Sequence, residues 1–180
     1  MKSRARIEFQ VCRLRSIGGV ERADYLTTGL VFASYSAPDA ANRTLATLGV
    51  TLPVDVTPEM VDWWFDWHPR RPGRYEAWHP EAHVSAKLLV EPEGQGKPFW
   101  GAVHEVREDV GTGEVKARIE FLPPSQVGFS TDALDDPRIG TIVCGRVGDN
   151  LIRHTVMCHI WLREGDGLVL RSHFWLGGAI

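Results

Sequence analysis

Residues 57–84 constrain the fold more than any other part of this sequence, because they concentrate large aromatic side chains just before a long strand-like region. Four of the seven tryptophans of the chain and three of its seven histidines lie in this segment. The tryptophans are Trp63, Trp64, Trp67 and Trp78, and the histidines are His68, His79 and His83. We interpret the segment as the floor of a pocket, whose chemistry depends on which histidines point inward.

The first half of the segment has the signals of a helix. Thr57 can accept a hydrogen bond at the helix start, and Pro58 fits the first helical position, which needs no amide hydrogen. The residue before a proline avoids the helical conformation, so the helix should end at His68. Apolar side chains recur between these limits at helical spacing: Met60, Trp63, Trp64 and Trp67. A tryptophan face of this kind is typical of core packing, and a pocket wall is the alternative.

The second half of the segment contains a pair of histidines. His79 and His83 are four residues apart, and Pro80 fits the start of a further helix, so one turn would bring both onto one face. Two histidines at this spacing can bind one metal ion, but a complete site needs three or four ligands. Hydrogen bonding to the backbone at the start of a strand is the alternative role for both side chains.

Beyond residue 84 the sequence predicts antiparallel strands joined by short links. Residues 115–121 alternate apolar and charged side chains, as in a half-buried strand. Residues 99–107 predict a strand too, and the G-D-G run at residues 165–167 predicts a hairpin. Five or six strands follow the aromatic segment in this way, so we expect the α+β class.

The part of the chain upstream of the aromatic segment has weaker signals. Residues 5–13 alternate as a strand does, residues 24–36 suggest an irregular arm, and residues 45–56 suggest a connector. We therefore divide the chain into two parts within one domain. Residues 1–56 form a lead-in, and residues 57–180 form the sheet.

Composition excludes several classes of function. The net charge is -3 and both signs are well mixed, so no basic surface for nucleic acid is expected. No apolar run approaches the length of about 18 residues that a membrane helix needs. Cys12, Cys144 and Cys158 form an odd set without a C-x-x-C motif, which favours reduced thiols in a cytoplasmic protein.

Several motifs in series resemble the diacetylphloroglucinol hydrolase family. They are W-W-F-D-W-H-P, R-Y-E-A-W-H-P-E-A-H-V, K-P-F-W-G, I-E-F-L-P-P-S-Q-V-G-F and L-R-S-H-F-W-L-G, and they run in order through residues 55–178. Members of that family are similar to helix-grip (START-like) proteins and use zinc to hydrolyse a carbon–carbon bond. The resemblance implies a curved antiparallel sheet and a zinc-dependent hydrolase that acts on a small phenolic acyl compound.

The resemblance also assigns two zinc ligands. His83 corresponds to the first zinc-binding histidine of the family, and Glu105 to its zinc-binding glutamate. On a strand, Glu105 shares a face with small and apolar neighbours, while His104 lies on the other face and is a poor co-ligand. A solvated glutamate within a charged run is the alternative for Glu105.

Four further residues are assigned to the substrate by the same resemblance. The tyrosine that corresponds to Tyr75 donates a hydrogen bond to a substrate oxygen, and His159 lines the pocket and could protonate the leaving ring. Trp78 and Phe174 are expected to bind the substrate, although Phe174 lacks the hydroxyl that a tyrosine there would supply. A two-residue hairpin at Gly165 would pair the position of His159 with Ser172.

The family completes its zinc site with an H-x-x-x-E motif on a C-terminal helix. No such segment follows F-W-L-G in this sequence, which stops at Ile180. We therefore expect an incomplete zinc site with little or no hydrolase activity in this shortened chain. We also expect an uncovered apolar sheet face and self-association into a homo-oligomer. The alternative function is a non-catalytic pocket protein that binds an aromatic or polyketide-like ligand.

Overall fold

The fold was analysed in a computed structural model of the chain. The residues that the structure describes are 33–35, 44–51, 55–109, 113–130, 134–149 and 151–176. The strand predicted for residues 5–13 lies outside them, and so does Cys12. No helix among the described residues has the length and apolar character needed to span a membrane.

The architecture is one curved antiparallel sheet with two short helices, in agreement with the predicted α+β helix-grip class. The two N-terminal strands are β1 (Ala33–Tyr35) and β2 (Thr44–Thr51), and the helices are α1 (Pro58–Trp67) and α2 (Arg74–Trp78). Six strands follow: β3 (His83–Val90), β4 (Val103–Asp109), β5 (Glu114–Leu122), β6 (Ile139–Gly148), β7 (Arg153–Glu164) and β8 (Gly167–Leu176). The described strands form a sheet of order β1-β2-β8-β7-β6-β5-β4-β3.

Three local predictions were wrong. Residues 45–56 are not a mere connector, since β2 pairs along its whole length with β8. Residues 33–35, predicted within an irregular arm, form β1. The strand predicted from residue 99 begins only at Val103, because Gly101 has a positive φ of 82° and the chain turns there. For β2, pairing with β8, a strand distant in sequence, decides the structure, and local composition does not carry that information.

Helix α1 forms as its sequence predicts. The Met60 amide donates to the Thr57 hydroxyl at 3.3 Å, and Pro58 occupies the first turn. The helix buries Val61 and Phe65 against the sheet, whereas Trp63 is 51% exposed. Val61 and Phe65 therefore form the core face of α1, and Trp64 packs against the same cluster while partly buried.

The two faces of the sheet carry separate apolar clusters. On the face that we call the helix face, Val61 and Phe65 of α1 pack with Phe121, Met157 and Trp161. The opposite face is covered by the segment after β5 and buries Leu122, Val127, Phe129, Ile142, Cys144, Val156, Cys158, Ile160 and Trp175. Side chains on alternate positions of each strand belong to opposite faces, so the register decides which of them can meet α1 and α2.

The hairpin between β7 and β8 has the predicted two-residue loop. Gly165, with a φ of 56°, and Asp166 lie between the paired residues Glu164 and Gly167. This short loop fixes the register of the two strands. It brings His159 opposite Ser172, as the sequence indicated.

Candidate active site

A groove lined by tryptophans lies beside α1 and α2. Its volume is about 670 Å³, within the range of small-molecule pockets. Trp63 and Trp67 are 4.6 Å apart between ring centroids, and Trp64 meets Trp78 edge-on at 5.4 Å. The guanidinium of Arg74 lies 3.8 Å above the Trp67 ring and places a cation at this wall. The tryptophan face is thus a groove wall, the second of the two alternatives that the sequence left open.

Tyr75 lies at the centre of a stack of rings next to the groove. It is buried, and its ring stacks on His83 at 3.8 Å and on His68 at 5.2 Å. Its hydroxyl donates a short hydrogen bond to the Glu108 carboxylate. Burial and the charge of Glu108 raise the pKa of Tyr75 above its ordinary value, so the phenol keeps its proton and remains a donor.

His83 has the hydrogen bonding expected of a metal ligand. Its Nδ1 lies 3.1 Å from the Tyr75 carbonyl oxygen, which can only accept, so Nδ1 carries a proton. The Nε2 lone pair is then available, and histidine ligands are commonly held in this tautomer by a second hydrogen bond. Burial lowers the pKa of His83 and favours the neutral form that a metal ion requires.

The carboxylate beside His83 belongs to Glu108, not to Glu105. His83 pairs with Glu108 in the ladder between β3 and β4, because the register shifts between His83 and Ser85. The inward positions of β4 include His104 and Val106, and Glu108 continues that alternation. Two observations thus bring His83 and Glu108 together: the ladder pairing and the shared contact with Tyr75.

Glu105 lies on the opposite face of β4 and forms ion pairs there. Its carboxylate is 2.9 Å from Lys116 and 3.6 Å from Arg118, and the Lys116 ammonium is the main cause of its lowered pKa. In the ladder with β3, Glu105 lies opposite Lys87, whereas Glu108 lies opposite His83. The zinc-ligand role expected of Glu105 stays a prediction. The sequence does contain a signal for Glu108. Because Glu105 and Arg107 alternate with His104 and Val106, Glu108 falls on the same strand face as His104 and Val106.

The letters H-x-x-x-E do occur in this chain, from His104 to Glu108. Both residues lie on β4, where a separation of four residues spans about 13 Å, so they cannot hold one metal ion as a helical pair does. No group of three or more His, Cys, Asp and Glu side chains among the described residues is placed to hold a metal ion. His83 and Glu108 are a suitable pair of zinc ligands by donor type, and a third ligand would have to come from outside this set.

Two buried histidines lie behind Tyr75. His68 donates from Nδ1 to the Trp64 carbonyl at 2.7 Å, and it meets His104 edge-on at 5.3 Å. Burial lowers the pKa of His68 to about 4 and that of His104 to about 3, so both are neutral at pH 7. His68 follows Trp64 by one helical turn, a spacing from which this contact could have been anticipated.

His79, the other member of the predicted histidine pair, is exposed. Its ring lies 5.6 Å from that of His83, while its carbonyl accepts the His83 amide at 2.8 Å. The segment after Trp78 is a turn and not a further helix, so the two histidines are not held on one helical face.

His159 forms a second polar site on the helix face, at β7 and β8. Its Nδ1 lies 2.7 Å from the Ser172 hydroxyl. The Phe174 ring is 5.6 Å away, so the structure brings together these two residues that the sequence assigned to the pocket. Burial lowers the pKa of His159 to about 4, and the imidazole is therefore neutral at pH 7.

Aromatic side chains connect the two sites with the groove. Trp78 lines the groove and meets His83 edge-on at 5.2 Å. Phe65 and Trp161 line it as well, and their rings lie 6.5 Å and 5.9 Å from that of His159. The groove thus has one wall next to each site. The substrate contact expected of Trp78 stays a prediction.

Comparison with known proteins identifies the family. The family model described as the DAPG hydrolase PhiG domain matches residues 47–180. The chain belongs to this family. Phloretin hydrolase of Eubacterium ramulus is 32% identical over an alignment of 148 residues that covers 78% of this chain and 53% of that protein. The 2,4-diacetylphloroglucinol hydrolase of Pseudomonas protegens is 30% identical over an alignment of 132 residues that covers 67% of this chain and 42% of that protein.

These relatives are longer than this chain, which covers 42–53% of their length. A second 2,4-diacetylphloroglucinol hydrolase, from a Pseudomonas species, is 30% identical over 67% of this chain and 44% of that protein. The chain thus spans about half the length of the relatives it matches. The solved structure of Ara h 8.0201 superposes with a TM-score of 0.39 at 8% identity, over 74% of this chain and 78% of that one. A likeness this low supports no argument about function.

Proposed function

We propose that this chain carries the sheet and the aromatic wall of a zinc-dependent hydrolase that cleaves the carbon–carbon bond between an acyl group and a phenolic ring. The main support is that Tyr75, His83 and Glu108 meet on the helix face, next to a groove of tryptophans. The names of the relatives support the substrate class, because phloretin and 2,4-diacetylphloroglucinol both carry an acyl group on a phenolic ring.

His83 and Glu108 are the residues that would hold the zinc ion, through Nε2 and the carboxylate. Zinc at such a position supplies a Lewis acid that polarises a carbonyl oxygen and lowers the pKa of water. The Tyr75 hydroxyl holds the orientation of the Glu108 carboxylate. The same hydroxyl, kept protonated by burial, can turn to donate a hydrogen bond to the acyl oxygen as charge develops there.

Hydrolysis of the carbon–carbon bond requires a proton at the leaving ring carbon, and His159 is the residue that we assign to this proton transfer. Water supplies its oxygen to the acyl carbon, the bond to the ring carbon breaks, and a proton goes to the ring carbon. His159 is neutral at pH 7 because burial lowers its pKa to about 4, so it acts by donating a hydrogen bond or relaying a proton. Phe174 packs beside it and would limit the position of the ring.

The groove accounts for recognition of the phenolic ring. Its tryptophans offer flat apolar surfaces, and Arg74 offers a cation that suits a phenolate or carboxylate oxygen. A non-catalytic pocket protein for aromatic or polyketide-like ligands is the second candidate. It is supported by the same groove, and by the finding that no three metal-ligating side chains converge among the described residues.

Zinc analysis combined with a hydrolysis assay tests the proposal. The purified protein is analysed for bound zinc and then incubated with phloretin or 2,4-diacetylphloroglucinol, before and after chelation. We expect bound zinc and release of the carboxylic acid, with loss on chelation and recovery on adding zinc. Quenching of tryptophan fluorescence by both ligands, without zinc or turnover, would support the pocket protein. Absence of zinc, turnover and quenching would contradict both candidates.

A further inference from the structure

Ser172 is a buried residue to which the proposed reaction has so far given no role. Its exposed fraction is 2%, and its hydroxyl lies 2.7 Å from Nδ1 of His159 on the neighbouring strand. The two residues are direct cross-strand partners, held in place by the two-residue hairpin at Gly165. Their contact is therefore set by the sheet and not by two mobile side chains.

The protons of the imidazole and of the serine hydroxyl decide which of the two groups donates in the hydrogen bond between His159 and Ser172. A neutral imidazole carries one proton, on Nδ1 or on Nε2, whereas a serine hydroxyl always carries one. If Nδ1 donated to Ser172, the hydroxyl proton would need a separate acceptor in a buried place, at a cost of about 1–3 kcal/mol if none were found. If Ser172 donates to Nδ1, the hydroxyl proton has its acceptor within the sheet, and the imidazole proton lies on Nε2, where a bound ligand can accept it.

The surroundings of His159 leave its second nitrogen as the group that can act on a ligand. The rings of Phe65, Trp161 and Phe174 lie 5.6–6.5 Å from that of His159. These side chains supply no acceptor for an imidazole proton except weakly through their ring faces. A proton on Nε2 is thus directed toward whatever polar atom a bound ligand offers.

We infer that Ser172 is a positioning residue: it donates its hydroxyl proton to Nδ1 of His159 and so presents Nε2–H as the hydrogen-bond donor of this site. The role of this Nε2–H donor toward the acyl oxygen or the leaving ring rests on the function proposed above. The tautomer itself does not depend on that function.

Nitrogen NMR of the histidine rings tests the tautomer directly. Protein labelled with ¹⁵N in histidine is studied at pH 7 without substrate, and the His159 ring is assigned from its absence in His159→Gln. We expect an unprotonated Nδ1 and a protonated Nε2 in the wild type. Ser172→Ala should give a mixture of tautomers, and Ser172→Thr, which keeps a hydroxyl, should restore the wild-type spectrum. A protonated Nδ1 in the wild type would overturn the inference, as would an unchanged His159 spectrum in Ser172→Ala.

A control and an activity measurement complete the test. Thr155→Val removes a hydroxyl from β7, the strand of His159, and should leave the His159 spectrum unchanged. The Thr155 hydroxyl lies 2.9 Å from Nδ1 of His154. If the wild type hydrolyses phloretin, Ser172→Ala should lower kcat by on the order of ten-fold, the effect typical of partners that orient an acting group, and Ser172→Thr should recover it. An altered tautomer with unchanged kcat would contradict the role in catalysis. Absence of turnover in the wild type would instead count against the proposed function, while the spectrum still decides the tautomer.

Discussion

The two polar sites on the helix face differ in charge, although both are built around a histidine. At β3 and β4, His83 lies beside the Glu108 carboxylate and under the Tyr75 ring. At β7 and β8, His159 has a neutral hydroxyl partner and aromatic neighbours. A carboxylate next to a histidine with an available nitrogen suits a metal ion, whereas a neutral pair in an apolar setting suits the placement of a single proton. One face of the sheet thus carries a histidine beside a carboxylate and a histidine beside a neutral hydroxyl, with β5 and β6 between them.

The largest effect should come from Phe65, which packs between the two sites at 5.8 Å from His68 and 6.5 Å from His159. Phe65→Ala should lower the free energy of unfolding by about 3–5 kcal/mol, because it leaves a cavity in the core. Urea denaturation measures the change. Met60→Ala on the same helix, at a residue that is 54% exposed, should change it by less than about 0.5 kcal/mol. Equal effects of the two variants would show that α1 does not pack on the sheet through Phe65.

The next effect should distinguish the two glutamates of β4. Glu108→Gln should weaken zinc binding by more than about 100-fold, because it removes a ligand and not merely an outer-shell partner. Glu105→Gln is the matched control and should leave zinc binding unchanged, since Glu105 pairs with Lys116 on the other face. Competition with a chromophoric chelator measures both affinities. Loss of zinc in Glu105→Gln alone would restore the assignment first made from the sequence.

The third effect concerns pH. The pKa of His104 is about 3 in the folded protein and 6.5 in an ordinary setting, so between these values the unfolded chain binds a proton that the folded protein does not. The free energy of unfolding should therefore fall as the pH is lowered through this window, by about 1.4 kcal/mol per pH unit for each such histidine.

The substitution His104→Leu should reduce the slope of the free energy of unfolding against pH by about 1.4 kcal/mol per pH unit, the contribution of one proton. Denaturation curves at several values between pH 7 and pH 4 provide the test. Met60→Ala, at an exposed residue without a titratable group, is the control and should keep the wild-type slope. A slope unaltered in His104→Leu would mean that His104 does not remain neutral in the folded protein.

The smallest expected effect is on ligand binding, and it shows at which of the two sites the phenolic ring binds. Trp78→Leu should weaken binding of an acylated phenol by about ten-fold or less, the scale of one lost aromatic contact. Phe174→Leu makes the same kind of change beside His159. Calorimetric titration of both variants compares the two ends of the face. A larger loss in Phe174→Leu than in Trp78→Leu would place the ring at the His159 end and not in the tryptophan groove.

Much of the fold could be predicted from local pattern. The cap at Thr57, the end of α1 near His68 and the pairing of His159 with Ser172 all follow from short-range rules. The strand β2 could not be predicted, because its partner β8 lies more than 100 residues away in sequence.

Glu108, the carboxylate beside His83, was not singled out from the sequence for a related reason. Alternation correctly separates Glu105 from His104, but it does not say which of the two sets points toward α1 and α2. That choice depends on the ion pairs of Glu105 with β5 and on the register shift at His83. The tryptophan face raised a similar problem, since helical spacing alone cannot distinguish a core from a groove.

The register shift between His83 and Ser85 divides β3 into two parts that pair differently with β4. After the shift, Ser85 and Lys87 lie opposite Arg107 and Glu105, on the far side of the sheet from the groove. Before it, His83 lies opposite Glu108. Loss or gain of one residue between His83 and Ser85 would move the side chain of His83 to the other face of the sheet. When related sequences are aligned, a one-residue gap here therefore carries more chemical meaning than many substitutions elsewhere.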